Sequence, residues 1–516
     1  MALTPRLDPY VRLVYRFYEA LILLSILLPV SGHHVVSSIN NLSLQDARRR
    51  FLKNLCFICD YDKGGDSTTA IAVEERDDAC IFWVSSNEGV RNNVTEFLRN
   101  ILDELGNAID QQNDQNVDRE TFRVLTTEFA SPRIRKEARI LRNAAMRCIE
   151  HLNDMNAQAE NLIVWLQHLD FTGLQSLDVC QRAYQVRHDE EMSLVQFYAQ
   201  DDDHDTHPGP IAQSFRTVRH FVGRLAAHIR AVDQLLDDAN RLQTIWQNRY
   251  EVERVQRPPS ATVPEADAHM TLRGVLRRLL PANDRRYEPY LGFLSHMDAS
   301  VHIQNKLDHR FQPGGLRLCV HAEIQMLHHF YDQGRKFIAK DQHIACSKFA
   351  CICCELYFKY HPAGFHLLGT HKRAFPNWGL IGLSEGAKSP RWLEQQSMMS
   401  SVIKDLKDLV LRQISELQAS SMNHPDSLTQ ITASLADVGD MTDGEWDEGF
   451  EEKEPEVEES KETDEAVGQN EEAEDGVVVF DDTNDGDAAA QFEEVFLQDD
   501  DGDDEDEDEL DQGAKL

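Results

Sequence analysis

His321, Glu323, Cys346, Cys351, Cys353 and Cys354 have side chains suited to binding a metal or moving a proton. They stand in two short stretches, Val320-His321-Ala322-Glu323-Ile324-Gln325-Met326-Leu327 and Cys346-Ser347-Lys348-Phe349-Ala350-Cys351-Ile352-Cys353-Cys354. A catalytic zinc site takes three nitrogen or sulfur ligands and leaves a fourth position to water. Cys351 and Cys354 are three apart, so a helix puts them on one face, whereas Cys353 falls about 200° around from Cys351. A helix start near Ala350 would favour both thiolates through its N-terminal dipole. His321 then supplies the third ligand from the first turn of another helix. Glu323, two residues along, is placed to carry protons between bound water and substrate. A closed structural site completed by Cys346 or Cys353 is the alternative, as is simple burial of the thiols and the histidine.

The elements that must position these residues form a compact α/β texture from 300 to 385. One helix holds His321 and Glu323, a strand follows at His343 to Cys346, and a second helix opens with Cys351 and Cys354. A further strand is expected at Phe365 to Gly369. Residues 10 to 60 read as helical. Two β-rich runs, Thr69 to Val73 and Ala79 to Val84, flank a polar five-residue stretch and predict a hairpin.

The order His-x-Glu, then Cys-x-x-Cys, is the arrangement of zinc nucleobase deaminases. The chain therefore resembles the cytidine deaminase-like superfamily, a three-layer α/β sandwich around a mixed sheet. More closely it is similar to the nucleic acid/nucleotide deaminase family of fungi and some intracellular bacteria. That branch reads Val-His-Ala-Glu and Cys-Ser-Lys-x-x-Cys-x-x-Cys, as here at 320–323 and 346–354. The resemblance covers about 70 residues, from about 315 to 385. It implies zinc held by His321, Cys351 and Cys354, with Glu323 as the proton shuttle. It departs at Ala350, where the wider superfamily usually has proline.

Deaminase-like folds start with a β-hairpin directly before the histidine-bearing helix, and none is legible between 290 and 320. The hairpin at Thr69 to Val84 has the right character and runs into Ser86-Asn87-Glu88-Gly89. In related deaminases an asparagine just after the second strand often contacts the sugar, which nominates Asn87. The expectation is a split domain. Residues 65–90 supply its first strands, 91–310 form an inserted helical arm, and 311–385 carry the zinc core. Residues 1–64 form an N-terminal helical region and 386–420 a C-terminal helix, most clearly from about Met398 to Leu417.

The arm shows sustained four-three apolar spacing, from Ile134 through Leu141, Cys148, Leu152, Met155 and Leu162 to Leu169, and again from Ile211 to Leu236. Such spacing argues coiled-coil-like packing of two long helices. The acidic stretch from Asp201 to Pro210 would join them as an antiparallel pair, in which the seam closes within the chain or between chains. A linker is expected over 256–268, then a short basic helix with Arg273, Arg277 and Arg278 whose role is a solvated face or phosphate contact.

Other candidates near the site have two readings each. Ser347-Lys348 ends the strand facing it and serves either substrate or a turn. His371, within Gly369-Thr370-His371-Lys372-Arg373, reaches substrate phosphate or base, or lies in a solvated loop. Trp378 stacks a base or fills the core. Cys56-x-x-Cys59 has no second pair nearby and favours packing.

The chain has 516 residues and a formal net charge of −37, and the charge is concentrated. From Asp437 onward there are 36 acidic residues against three lysines and no arginine. The preceding 436 residues carry only −4. A near-neutral body therefore precedes a polyanionic tail, which from about 421 to 516 reads as disordered. This balance excludes a protein that coats nucleic acid through overall basic charge. The longest apolar run, Ala20 to Val30, is about half of the ~20 residues a membrane-spanning helix needs. It reads as a buried helix rather than a signal peptide, given Asp8 and Glu19 and the poor cleavage site after it. Ten cysteines in this length do not make a disulfide framework. An intracellular protein, cytoplasmic or nuclear, is the expectation, with no membrane partner.

Two functions follow from the residues and the resemblance. The first is zinc-dependent hydrolytic deamination of a nucleobase in a nucleotide or single-stranded nucleic acid. The second is a catalytically inactive, zinc-stabilised scaffold whose arm and acidic tail bind partners, basic proteins among them.

Overall fold

The computed structural model describes residues 8–27, 35–36, 43–110, 119–155, 159–199, 210–247, 249–266, 269–367 and 369–422. The chain divides into two units, Met1–Glu451 and Glu452–Leu516, and every described residue lies in the first. The acidic tail and the connection at 201–209 fall outside the described residues.

The chain opens with α1 (Pro9–Leu27), the two-residue β1 (Val35–Val36) and α2 (Leu44–Cys59), then the hairpin β2 (Thr69–Glu75) and β3 (Ala79–Ser86). Seven of the next eight elements are α3 (Asn92–Asp110), α4 (Arg119–Phe129), α5 (Ser131–Asp154), α6 (Glu160–Gln167), α7 (Ser176–Val186), α8 (Glu190–Ala199) and α9 (Pro210–Arg241). The short α10 (Gln243–Gln247) leads back to the sheet as β4 (Arg249–Arg254). After α11 (Leu272–Leu279), α12 (Tyr287–Val301) and α13 (Ile303–Arg310) comes the segment with the candidate ligands. It comprises α14 (Ala322–Asp332), β5 (Ala345–Cys346), α15 (Ile352–Tyr360) and β6 (Gly369–Thr370), before α16 (Trp392–Met422).

The main sheet is mixed, in the order β4-β3-β2-β5. β2 and β3 pair antiparallel, with Ile71 opposite Val84. β2 also pairs antiparallel with β5, with Ala70 opposite Cys346 and Ile71 opposite Ala345. Segments more than 270 residues apart thus share one sheet. β4, which the sequence reading lacked, runs parallel to β3 with Val84 opposite Arg254. Among the described residues, the sheet continues beyond β5 as a single parallel bridge between His343 and His366. The strand expected at Phe365 to Gly369 therefore reduces to that bridge and to β6, which pairs with β1 in a separate two-stranded sheet.

Both faces of the hairpin are buried, so its side chains alternate between two cores. Ala70, Ala72, Ile81 and Trp83 face α14 and α15, together with Ile324, Met326 and Ile344. Ile71, Val73, Phe82 and Val84 face α2 and α3, together with Phe51, Leu55, Leu98 and Leu102. The apolar α1 is buried in the first of these cores: Tyr18 Oη donates to the Trp378 carbonyl at 3.0 Å. No helix among the described residues is long and apolar enough to cross a membrane.

In the arm, α5 packs on α9 through Ile134, Leu141, Ala145, Cys148 and Leu152 against Phe215, Val218, Val222, Leu225 and Ile229. The seam closes within the chain, with α7 and α8 filling the rest of that core. The first helix does not run on to Leu169: α5 ends at Asp154, and Met155, an expected seam residue, is 60% exposed. Among the described residues the seam resumes with the partly buried Ala159 and continues through Leu162 and Leu166 in α6 to Leu169. The segment expected as a linker also packs: Ala261 N–H donates to the Leu380 carbonyl at 2.7 Å and Gly382 N–H to the Pro259 carbonyl at 2.9 Å. In the basic helix α11, Arg278 pairs with the buried Glu19.

A buried ion cluster joins the arm to the sheet. Arg133, 1% exposed, bonds Glu137 at 3.0 Å, and Glu137 also takes Arg224 at 3.1 Å. Arg133 reaches out of the arm to donate to the Asp60 carbonyl at 3.0 Å, at the end of α2.

Candidate metal centre

His321 and Cys351 are the N-cap residues of α14 and α15, so both ligand-bearing helices point their N-terminal ends at one place. The Cys351 sulfur accepts from the Cys354 N–H at 3.4 Å, and the i, i+3 spacing brings the two thiols together. His321 Nδ1 lies 3.7 Å from Cys351 Sγ and 3.3 Å from Cys354 Sγ. The donor atoms of the three residues all fall within 4.8 Å of one another, and among the described residues they form a group able to hold a metal ion. Tetrahedral zinc with ordinary bond lengths would set each N···S separation at about 3.5 Å, so this nitrogen–sulfur set fits zinc. Cys353 is buried and stands outside the group, as the helical angle predicts, and Cys346 Sγ instead lies 4.0 Å from Glu323 Oε2. All ten cysteines are free of disulfides.

The electrostatics are those of a desolvated site. Burial opposes ionisation of Cys351, yet hydrogen bonds from Cys353 and Cys354 and the nearby His321 hold its thiol well below the ordinary value. Burial and the adjacent Cys351 push Cys354 up. Glu323, 3% exposed, is raised by burial, with His321 opposing. It lines a cleft together with Lys53, Cys346, Lys348, Phe349 and Leu367.

The start of α14 is fixed from the end of the hairpin. Asn87 Oδ1 accepts from Ala322 N–H at 2.8 Å, while its Nδ2 donates to the Gly65 carbonyl at 2.7 Å. Ser85 Oγ donates to the Ala322 carbonyl at 2.8 Å, and Gln325 Nε2 donates to the Ser86 carbonyl at 2.9 Å. The Asn87 amide, nominated for a sugar contact, thus ties the start of the histidine-bearing helix to the end of the hairpin. Ser347 is likewise internal: its hydroxyl donates to Asp60 Oδ2 at 3.0 Å and accepts from Thr69 N–H at 3.1 Å. Lys348 lines the cleft, its Nζ donating to the Gly64 carbonyl at 2.5 Å. His371 is 1% exposed rather than in a solvated loop, and its Nδ1 accepts from Arg373 N–H at 3.1 Å.

Alanine at 350 has a physical account. Its N–H donates to the Gly369 carbonyl at 3.0 Å, a bond that proline in that place cannot make. Of the two readings of Trp378, the structure gives the core, and Gly379 and Lys53 also stand close to the site. Trp378 is a core residue whose indole N–H donates to Cys354 Sγ at 3.1 Å. Gly379 follows where the chain passes the strand leading to His321, and a Cβ there would lie 2.8 Å from the Cys319 backbone. Lys53 sits on a helix that reads as packing. Its one signal was the basic run Arg48-Arg49-Arg50-x-x-Lys53, whose arginines go to Asp341 and Asp238.

Residues 320–381 match the family described as OTT_1508_deam-like deaminase. The match coincides with the segment that carries His321, Glu323, Cys351 and Cys354, and it agrees with the cytidine deaminase-like resemblance of the motifs. No curated protein and no solved structure matches the chain.

Proposed function

We propose that this protein is a zinc-dependent hydrolytic deaminase acting on an amino-bearing nucleobase, in a nucleotide or in single-stranded nucleic acid. The observation that carries the reading is the convergence of His321, Cys351 and Cys354 beside Glu323, which itself lines a cleft. The hairpin and the segment from 311 to 385 would then be the two parts of one catalytic domain, joined across β2 and β5.

His321, Cys351 and Cys354 would hold the zinc. When bound, zinc supplies Lewis acidity, which makes the attacking water more acidic at neutral pH. Glu323 takes the proton from that water as it attacks the amino-bearing ring carbon. The same carboxyl then hands protons to the ring nitrogen and to the departing ammonia. Burial raises the proton affinity of this carboxyl, which makes it a better acceptor for the proton of the attacking water. Asn87 and Trp378 act at one remove: the first sets the start of α14, and the second places an N–H on the Cys354 sulfur.

The test is mass-spectrometric screening of the zinc-loaded chain against nucleosides, nucleotides and single-stranded RNA and DNA, with Glu323→Gln as control. A product heavier by one mass unit, absent from the control, is expected. Equal product from the Glu323→Gln protein would remove the carboxylate from the mechanism.

A further inference from the structure

We propose that Asp60 is a positioning residue for the reaction: acting through the Ser347 hydroxyl, it fixes the end of β5 that walls the cleft beside Glu323. The inference rests on the deaminase reading above and assigns a role in it to a carboxylate from a distant segment.

β5 is two residues long and pairs with β2 through Ala345 and Cys346. So short a strand has little ladder of its own to hold it. Ser347, the next residue, extends it. Its N–H donates to the Thr69 carbonyl at 2.8 Å, as a further ladder position would. The return bond from Thr69 N–H goes to the side-chain Oγ of Ser347 at 3.1 Å. A hydroxyl standing in for a carbonyl lets the backbone leave the strand at once, toward Lys348 and α15. That hydroxyl still has a proton to give, and the acceptor of the proton fixes its direction. The acceptor is Asp60 Oδ2, at 3.0 Å.

Asp60, the C-cap of α2, is fully buried and shared by three segments. Ser67 Oγ donates to its Oδ1 from the stretch that leads into β2. Arg133 of the arm stands 3.5 Å from its Oδ2 and donates to its backbone carbonyl at 3.0 Å. A buried carboxylate matched on both oxygens is held in one place. The residues on either side of Ser347, Cys346 and Lys348, both line the cleft, and Cys346 Sγ lies 4.0 Å from Glu323 Oε2. Asp60 itself does not line the cleft. Its effect on the reaction therefore runs through the strand end that it holds.

The test uses the zinc-loaded full chain with Ser347→Ala, Ser347→Thr, Asp60→Asn and the double variant Asp60→Asn/Ser347→Ala. Turnover per bound zinc is measured on cytidine, adenosine, their 5′-monophosphates, oligo(dC) and oligo(dA). A second readout needs no turnover: the rate at which N-ethylmaleimide alkylates Cys346, followed by peptide mapping. Ser347→Ala should lower kcat about tenfold or more with KM near the wild-type value, because a displaced wall misaligns the reacting groups. Ser347→Thr keeps the hydroxyl and should recover most of the rate. Cys346 should be alkylated faster in Ser347→Ala, and Cys180 in the arm should not. Asp60→Asn should act in the same direction, and the double variant should be no slower than the slower single one, as for two residues on one path. Wild-type kcat or wild-type Cys346 alkylation in Ser347→Ala, or losses that multiply in the double variant, overturn the proposal. Where Asp60→Asn does not fold, Ser347→Ala decides alone. A wild-type chain that turns over no probe while Ser347→Ala loosens Cys346 sinks the deaminase reading and keeps the clamp. Turnover indifferent to Ser347→Ala does the reverse.

Discussion

In the arm, α5 and α9 meet along a continuous apolar seam, and Leu141, Cys148, Phe215 and Leu225 are all fully buried there. At the candidate metal centre, the helices are short and the precision comes from hydrogen bonds made by other segments. Asn87, Ser85 and Gln325 set α14, while Ser347 and the Ala350 N–H set the approach to α15. The arm is held by many interchangeable contacts; the site is held by a few that have no substitutes. Apolar packing tolerates exchange of similar volumes, whereas a hydrogen bond that orients a ligand is lost when one atom is removed. The two regions meet at the Asp60–Arg133–Glu137–Arg224 cluster, which is ionic and almost wholly buried.

That contrast can be broken most severely at the junction. Arg133→Met leaves the buried Asp60 without its cation and Glu137 with Arg224 alone, which costs about 3–5 kcal/mol by analogy with other broken buried pairs. The expected result is a large drop in the urea midpoint, accompanied by lower zinc content because Asp60 also anchors Ser347. Within the arm alone, Leu225→Ala should cost about 2–5 kcal/mol as a core cavity. Zinc content and turnover per folded molecule should stay as in the wild type; a matching loss of zinc would show that the arm and site are one mechanical unit. At the site, Asn87→Ala should cost only about 1 kcal/mol of stability, as for other helix caps. Its turnover should nevertheless fall, because the histidine-bearing helix loses its anchor. Asn87→Asp keeps the oxygen that accepts from Ala322 and should recover most of the activity. If Asn87→Asp were as inactive as Asn87→Ala, a direct substrate contact through the amide nitrogen would be the better account.

The legibility of the molecule follows the same division. The ligand trio could be read because each member lies in a short segment whose helical spacing fixes its direction, as the exclusion of Cys353 shows. The hairpin was visible from its β-rich runs, and its partner β5 from the strand texture before Cys346. β4 was missed because only Val252 of Arg-Tyr-Glu-Val-Glu-Arg is buried, so an edge strand paired along one side looked like polar surface. The break after Asp154 was invisible because the apolar spacing continues in phase through Met155, although that side chain faces solvent. Lys53 and Gly379 approach the site from segments distant in sequence. No local pattern encodes them.

The most direct test of the account is the metal content of the full chain, purified without added chelator, measured by inductively coupled plasma mass spectrometry beside Cys354→Ser and Cys353→Ser. The account predicts one zinc per wild-type chain, near-complete loss in Cys354→Ser, and full retention in Cys353→Ser. Zinc absent from the wild type after loading, or lost equally from both variants, would contradict a His321–Cys351–Cys354 centre and the enzymology built on it.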